Sequence, residues 1–145
     1  MKVIFLDVDG VLNSRKDNFS VELETDSHLS LLRKLYNATG AKIVMSPSWQ
    51  RIPSLIKYII YRLTEHGMYI HGITRKIIGA TKAYAIKDYI EHSVEPIEQF
   101  VILDDEPDMG EYSKTNHVRT SIEVGLQPKD VGQAFAILRR NADNN

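Results

Sequence analysis

The stretch Val3-Ile4-Phe5-Leu6-Asp7-Val8-Asp9-Gly10-Val11-Leu12-Asn13 decides the fold class. Four apolar residues in a row predict a short strand buried on both faces, because a strand with one wet face alternates apolar with polar. Two aspartates follow at once, and Gly10 permits a tight departure from the strand end. Strands buried on both faces belong to parallel sheets covered by helices, and the rest of the chain supplies both.

Ala41 to Met45 reads as a second buried strand ending at Ser46-Pro47-Ser48. Met68 to Ile70 reads as a third, Phe100 to Leu103 as a fourth ending in Asp104-Asp105, and His117 to Arg119 as a fifth. Between them lie helical patterns. Asp26 can cap a helix with Leu29, Leu32, Leu35 and Tyr36 on one face and Gly40 as its stop. Pro53 opens a second helix, with a stripe of Leu55, Ile56, Ile59, Ile60 and Leu63, and Gly67 ends it. Thr81 caps a third, running to about His92 with Tyr84, Ile86 and Ile90 inward. Pro128 to Arg140 forms the last, with Val131, Phe135 and Leu138 inward. Asn13 to Glu24 reads as a loop or hairpin, and the tail from Asn141 to Asn145 should fray. Alternation of strand and helix predicts an α/β, Rossmann-like three-layer sandwich: about five parallel strands with helices on both faces, joined by right-handed crossovers.

Composition sets the outer bounds. With 145 residues, 43% apolar and 26% charged, the chain is expected to be one domain, 1–145, with an ordinary core. A net charge of −1 gives no global attraction to polyanions, so any such contact must come from a local patch. The absence of cysteine excludes disulfides, thiolate metal sites and a cysteine nucleophile. Asp7 and Asp9 interrupt the N-terminal apolar run far short of a signal-peptide core, and nothing approaches the roughly 20 apolar residues of a membrane span. A soluble, cytoplasmic protein with no membrane partner is expected.

In open parallel sheets ligands bind outside the carboxyl ends of the strands, which makes the strand-end residues informative. Asp7 and Asp9, Ser46 and Ser48, and Asp104 and Asp105 each follow an apolar run. If the first and fourth strands are neighbours, four carboxylates crowd one small volume. Two like charges about 4 Å apart repel by roughly 4 kcal/mol at an effective dielectric near 20. Such crowding demands protons or a cation, and an all-oxygen donor set favours Mg2+ over zinc. Taken singly, each motif has a plainer reading as a turn, a cap or a solvated acidic loop. Their joint placement at strand ends argues against it.

In order along the chain, Asp7-Val8-Asp9-Gly10-Val11-Leu12-Asn13, then Ser46, Lys82 and Asp104-Asp105, resemble the four motifs of the haloacid dehalogenase-like (HAD) phosphohydrolase superfamily. Asp-Val-Asp-Gly-Val-Leu-Asn, Ser48-Trp49 and Gly125-Leu126 resemble its small capless members grouped with nucleic-acid repair phosphatases; the phosphatase half of phage polynucleotide kinase–phosphatase is a more distant likeness. The resemblance implies that Asp7 attacks phosphorus to form an aspartyl-phosphate and that Asp9 serves as general acid and then base. It implies a Mg2+ ion held by Asp7, the Asp9 carbonyl and Asp104 or Asp105, with Asp108 in the outer shell. Ser46 and Lys82 would neutralise phosphate oxygens. Two departures stand out. Pro47 has no N–H to offer the phosphate, leaving Ser46 or Ser48 as the second-motif hydroxyl. Lys76 and Lys87 rival Lys82 as the motif lysine.

The intervals between motifs leave no room for the cap domain that many relatives carry. A site without a lid is open to bulky substrates, such as a phosphorylated nucleic-acid terminus, as well as to a phosphorylated small molecule. Ser48, Trp49 and Arg51 would then contact substrate, with Trp49 stacking a base and Arg15-Lys16 near the backbone. Alone, Trp49 reads more simply as core and Arg15-Lys16 as a solvated loop. Two competing classes remain: a module that only binds phosphate, and a receiver-like signalling domain, whose acidic pair follows the first strand rather than the fourth.

Overall fold

The computed structural model describes residues 1–19, 26–48 and 55–140. Five strands run parallel: β1 (Lys2–Leu6), β2 (Lys42–Met45), β3 (Ile70–Ile73), β4 (Gln99–Asp104) and β5 (His117–Arg119). Among the described residues four α-helices accompany them: α1 (Asp26–Thr39), α2 (Ile56–Glu65), α3 (Lys82–His92) and α4 (Pro128–Arg139). The sheet order is β3-β2-β1-β4-β5. The chain therefore builds outward from β1 to β3, then returns across the sheet to place β4 on the other side of β1.

That reversal distributes the helices. Right-handed crossovers put α1 and α2 on one face while the chain moves toward β3, and put α3 on the opposite face as it comes back. The two cores follow. Leu29, Leu32 and Leu35 of α1, Ile59 and Leu63 of α2, and Ala134 and Leu138 of α4 pack with Ile4, Leu6, Ile43, Met45, Val101 and Leu103. On the other face Ile86 of α3 packs with Val3, Phe5, Val44 and Ile102, and with Met109. Phe5, Phe100, Tyr89 and Tyr112 meet edge to face there, with centroids 5.2 to 5.8 Å apart. Successive residues of each strand thus feed opposite layers, as period-two geometry requires. The three-layer expectation holds, and no cap domain occurs among the described residues.

Two expectations need correction. The third strand is Ile70–Ile73 rather than Met68 to Ile70. Gly67, at φ +74°, donates to the Thr64 carbonyl, and Met68 N donates to the Leu63 carbonyl at 2.9 Å. This is a Schellman cap, and Met68 is its apolar partner to Leu63, so Met68 belongs to the helix end. Tyr84, expected inward on α3, is 57% exposed. The inward face of that helix is Ala83, Ile86, Tyr89 and Ile90, a stripe one position out of phase with Tyr84. Of the expected loop or hairpin at Asn13 to Glu24, the described part forms a 3-10 turn at Arg15–Asp17. Residues 20–25, Pro53 and the tail from Asn141 lie outside the described residues.

Candidate active site

Strand register builds the site. Leu6 pairs with Met45 on one side and Leu103 on the other, so the next residues, Ser46, Asp7 and Asp104, stand side by side at the carboxyl edge. Asp7 N donates to the Leu103 carbonyl and Ser46 N to the Leu6 carbonyl, which carries the ladder one step past the strands. Parity then fixes the face. Phe5, Val44 and Ile102 point into the α3 layer, so residues two positions on point the same way. Lys82, the first residue of α3, meets them there. Its ammonium lies 3.1 Å from Asp7 Oδ2 and 2.9 Å from Asp104 Oδ2. Thr81 caps that helix by accepting from Tyr84 N, which sets the rotation that aims Lys82 inward.

The electrostatics are severe. Asp7 and Asp104 are 4% and 0% exposed, and one lysine serves both. Burial first, and then the Asp104 charge, push the Asp7 carboxyl up to about 7 against the pull of Lys82. Asp105 is raised too, by burial and again by Asp104. Burial disfavours the Lys82 ammonium, yet Asp7 and Asp104 together outweigh it and hold its pKa above the ordinary lysine value. Asp7, Asp104 and Asp105 each offer a carboxylate oxygen within 4.8 Å of the others. Among the described residues, three carboxylates stand against one ammonium, which leaves a negative charge uncompensated there, and hard oxygen donors suit a small divalent cation. These residues fit such an ion.

Gly10 makes the third carboxylate possible. Its φ of +82° is one that only glycine adopts easily, and a β-carbon there would lie 2.6 Å from Asp105 Cγ and Oδ2 and 2.9 Å from its Cβ. The clash reaches the root of the side chain, so Asp105 could not simply swing its tip away. Gly10→Ala is expected to cost at least about 1 kcal/mol of stability from the backbone alone. It should also raise the divalent-ion concentration needed for half-maximal turnover by roughly tenfold, the effect of losing about 1.4 kcal/mol of binding. Thermal melts and a metal titration of activity check both. An unchanged metal requirement would show that Asp105 is not a ligand.

The loop after Asp7 is held from within and from across the fold. Asn13 is fully buried; its Nδ2 donates to Asp9 Oδ1 at 2.9 Å and its Oδ1 accepts from Gly10 N at 3.0 Å. Thr120 Oγ1 donates to the Gly10 carbonyl, and Leu126 N to the Val11 carbonyl. Gly125 must lack a side chain here, since a β-carbon would come within about 3 Å of the Val11 and Asn13 carbonyls.

Ser46 is buried, and its Oγ has no hydrogen-bond partner among the described residues. Together with Ser48, Thr74 and Lys82 it lines a cleft of about 540 Å3. The Asp9 carboxylate stands outside the three-carboxylate group, tied to Asn13. Asp108 accepts from Gly110 N and Ser113 Oγ, closing the turn there. Arg15 pairs with Glu123 at 2.9 Å, and Lys87 approaches Glu111 on the surface. Trp49 and Arg51 lie outside the described residues. Sequence reasoning missed Thr74, which is buried beside Ser46 with its N–H on the Met45 carbonyl. A third strand ending at Ile73 would have pointed to it as another strand-end hydroxyl. It also missed the Asn13 amide, whose signal was a polar residue just after the apolar pair Val11-Leu12.

No described helix is long and apolar enough to cross a membrane. The family model for the HAD domain in Swiss Army Knife RNA repair proteins matches residues 3–131. No curated protein and no solved structure matches the chain.

Proposed function

Since the chain belongs to the family of HAD domains found in Swiss Army Knife RNA repair proteins, a membership that supports a phosphohydrolase, we propose that it hydrolyses phosphate monoesters at RNA ends through a covalent intermediate on Asp7. The observation that carries this reading is the single row of Ser46, Asp7 and Asp104 with the Lys82 ammonium 3.1 and 2.9 Å from the two carboxylates. A nucleophile, a hydroxyl donor and a cation converge where a phosphoryl group would sit.

In the first step an Asp7 carboxylate oxygen attacks phosphorus in line, and the bond from phosphorus to the ester oxygen breaks. Asp9 gives that oxygen its proton, so the alcohol leaves neutral. In the second step Asp9 takes a proton from water, which attacks phosphorus and releases phosphate and free Asp7. Lys82 offsets charge on the phosphoryl oxygens, and the unpartnered Ser46 hydroxyl has a donor free for one of them. Mg2+, held by Asp7, Asp104 and Asp105 with the Asp9 carbonyl, would supply further neutralisation of that charge. Asp7 is a nucleophile only when ionised, and its raised pKa means neighbouring cations must favour that form near neutrality.

The sheet order β3-β2-β1-β4-β5 also speaks against a receiver-like module, whose doubly wound sheet runs 2-1-3-4-5. A chromogenic monoester assay with and without Mg2+, followed by phosphorylated oligonucleotides, nucleotides and sugar phosphates, tests the proposal. Magnesium-dependent turnover abolished by chelation is expected, with oligonucleotide ends preferred. Absence of turnover on every monoester would sink the enzyme. Preference for sugar phosphates would leave the chemistry and remove the RNA end.

Asn13 is a positioning residue in this scheme, because its amide donates to one oxygen of the Asp9 carboxylate and so holds the group that transfers the proton. Asn13→Asp keeps an acceptor for Gly10 N but replaces the donor facing Asp9 with a like charge. General acid catalysis is worth about 10² to 10⁴ in rate and matters most for poor leaving groups. Turnover of phenyl phosphate is therefore expected to fall roughly tenfold further than that of p-nitrophenyl phosphate. Equal losses on both would mark Asn13 as merely structural.

A further inference from the structure

Among the described residues, two clefts lie on either side of the row of site residues, and their charges differ. The first, about 540 Å3, lies on the β2–β3 and α3 side and shares Ser46 and Lys82 with the proposed phosphoryl site. Its charged lining residues are Arg75, Lys76 and Lys82, with no carboxylate among the described residues that line it. The second, about 490 Å3, lies on the β4–β5 side, where Arg119 and Lys129 are offset by Asp105 and Glu106. A chain of net charge −1 gives a polyanion no general welcome, so local sign decides the route.

Within the first cleft the three cations are not equivalent. Lys82 is engaged by Asp7 and Asp104. Arg75 is locked by two bonds of 2.8 Å to Asp88. Lys76 is exposed and its ammonium meets no carboxylate among the described residues. Beside it Ile78, another lining residue, is 94% exposed. An unpaired cation next to an uncovered apolar side chain, on the rim of a cleft whose deep end holds the unpartnered Ser46 hydroxyl, matches the alternation of phosphate and nucleoside along a single strand. A cleft of this volume falls in the range of ordinary small-ligand sites.

We propose that the strand adjoining the terminal phosphate leaves through the Ser46–Lys82 cleft, with Lys76 on the neighbouring phosphodiester and Ile78 against the neighbouring nucleoside. This rests on the phosphatase reading above and adds the strand path to it. The β4–β5 cleft carries no strand.

The test compares phosphorylated hexaribonucleotides, nucleoside monophosphates and p-nitrophenyl phosphate. With wild type, kcat/KM for the oligonucleotide should exceed that for the nucleotide by roughly tenfold at low salt, about one charge-assisted contact's worth. The advantage should decline with log salt. Lys76→Glu should lower the ratio of oligonucleotide to p-nitrophenyl turnover about tenfold. Lys76→Ala should flatten the log–log salt dependence by about 0.7, the single-strand value for one phosphate contact. Lys129→Glu should leave both quantities unchanged. If instead Lys129→Glu lowers the ratio and Lys76→Glu does not, the strand takes the other cleft and the proposal is overturned. Turnover of p-nitrophenyl phosphate without any oligonucleotide advantage overturns the strand path alone. No turnover at all overturns the phosphatase reading and this path with it.

Discussion

Replacing Asp7 with asparagine is expected to reduce turnover by at least about 10⁴-fold, as removal of a covalent nucleophile does elsewhere, while leaving the fold intact. The amide occupies the same volume and cannot attack phosphorus. A second effect follows from the burial of the carboxylate. Asp7 titrates at about 7 in the folded chain against an ordinary value of 3.8, because it is desolvated and faces Asp104. Between roughly pH 4 and 7 the folded chain therefore holds a proton that the unfolded chain has lost. Stability from this group is greatest at the acid end of that window and falls as pH rises through 7. Thermal melts in chelator should show that decline in wild type and a shallower one in Asp7→Asn, where the contributions of the other raised carboxyls, Asp105 and Asp130, remain. A single-turnover assay completes the test. More than about one per cent of wild-type activity in the variant would remove Asp7 from the nucleophile's role.

The pairing of Asp7 with Asp104 was legible in the chain because two simple rules act together. Apolar runs mark buried strands, and parallel strands deliver their next residue to a common edge. Given neighbouring strands, Leu6 opposite Leu103 makes Asp7 opposite Asp104 unavoidable. What the chain does not print is phase within a helix or the length of a cap. Tyr84 and Ile86 are equally apolar to a pattern, and only the packing of α3 against Phe5 decides that Tyr84 turns out. Met68 looks like the start of a strand until Gly67 is seen to wrap it back onto Leu63; Thr74 was lost with that error. Asn13 was visible only as one letter of a motif. Its amide contact with Asp9 depends on a loop closed by Thr120 and Gly125, more than 100 residues away and without any local signature.

Lys82→Met carries the other large expected effect, because among the described residues Lys82 is the one cation between two buried carboxylates. Lys82→Met keeps the length of the side chain and removes the charge. Asp7 and Asp104 would then face each other with nothing between them, and the Asp7 carboxyl, already at about 7, would move higher still. Breaking a buried ion pair by deleting one partner costs about 3 kcal/mol at the low end, the appropriate end for a side chain 23% exposed. For a chain of this size that is a fall on the order of 10 °C in Tm, measured in chelator at pH 8. Turnover should drop about 10³-fold, the loss typical of a preorganised charge stabiliser. Raising the pH should restore part of it by ionising Asp7. The same substitution at Lys87, whose ammonium approaches Glu111 on the surface, should change neither quantity. Should Lys82→Met retain wild-type turnover, the phosphoryl group is not seated against the α3 end of the row, and a different cation must balance it.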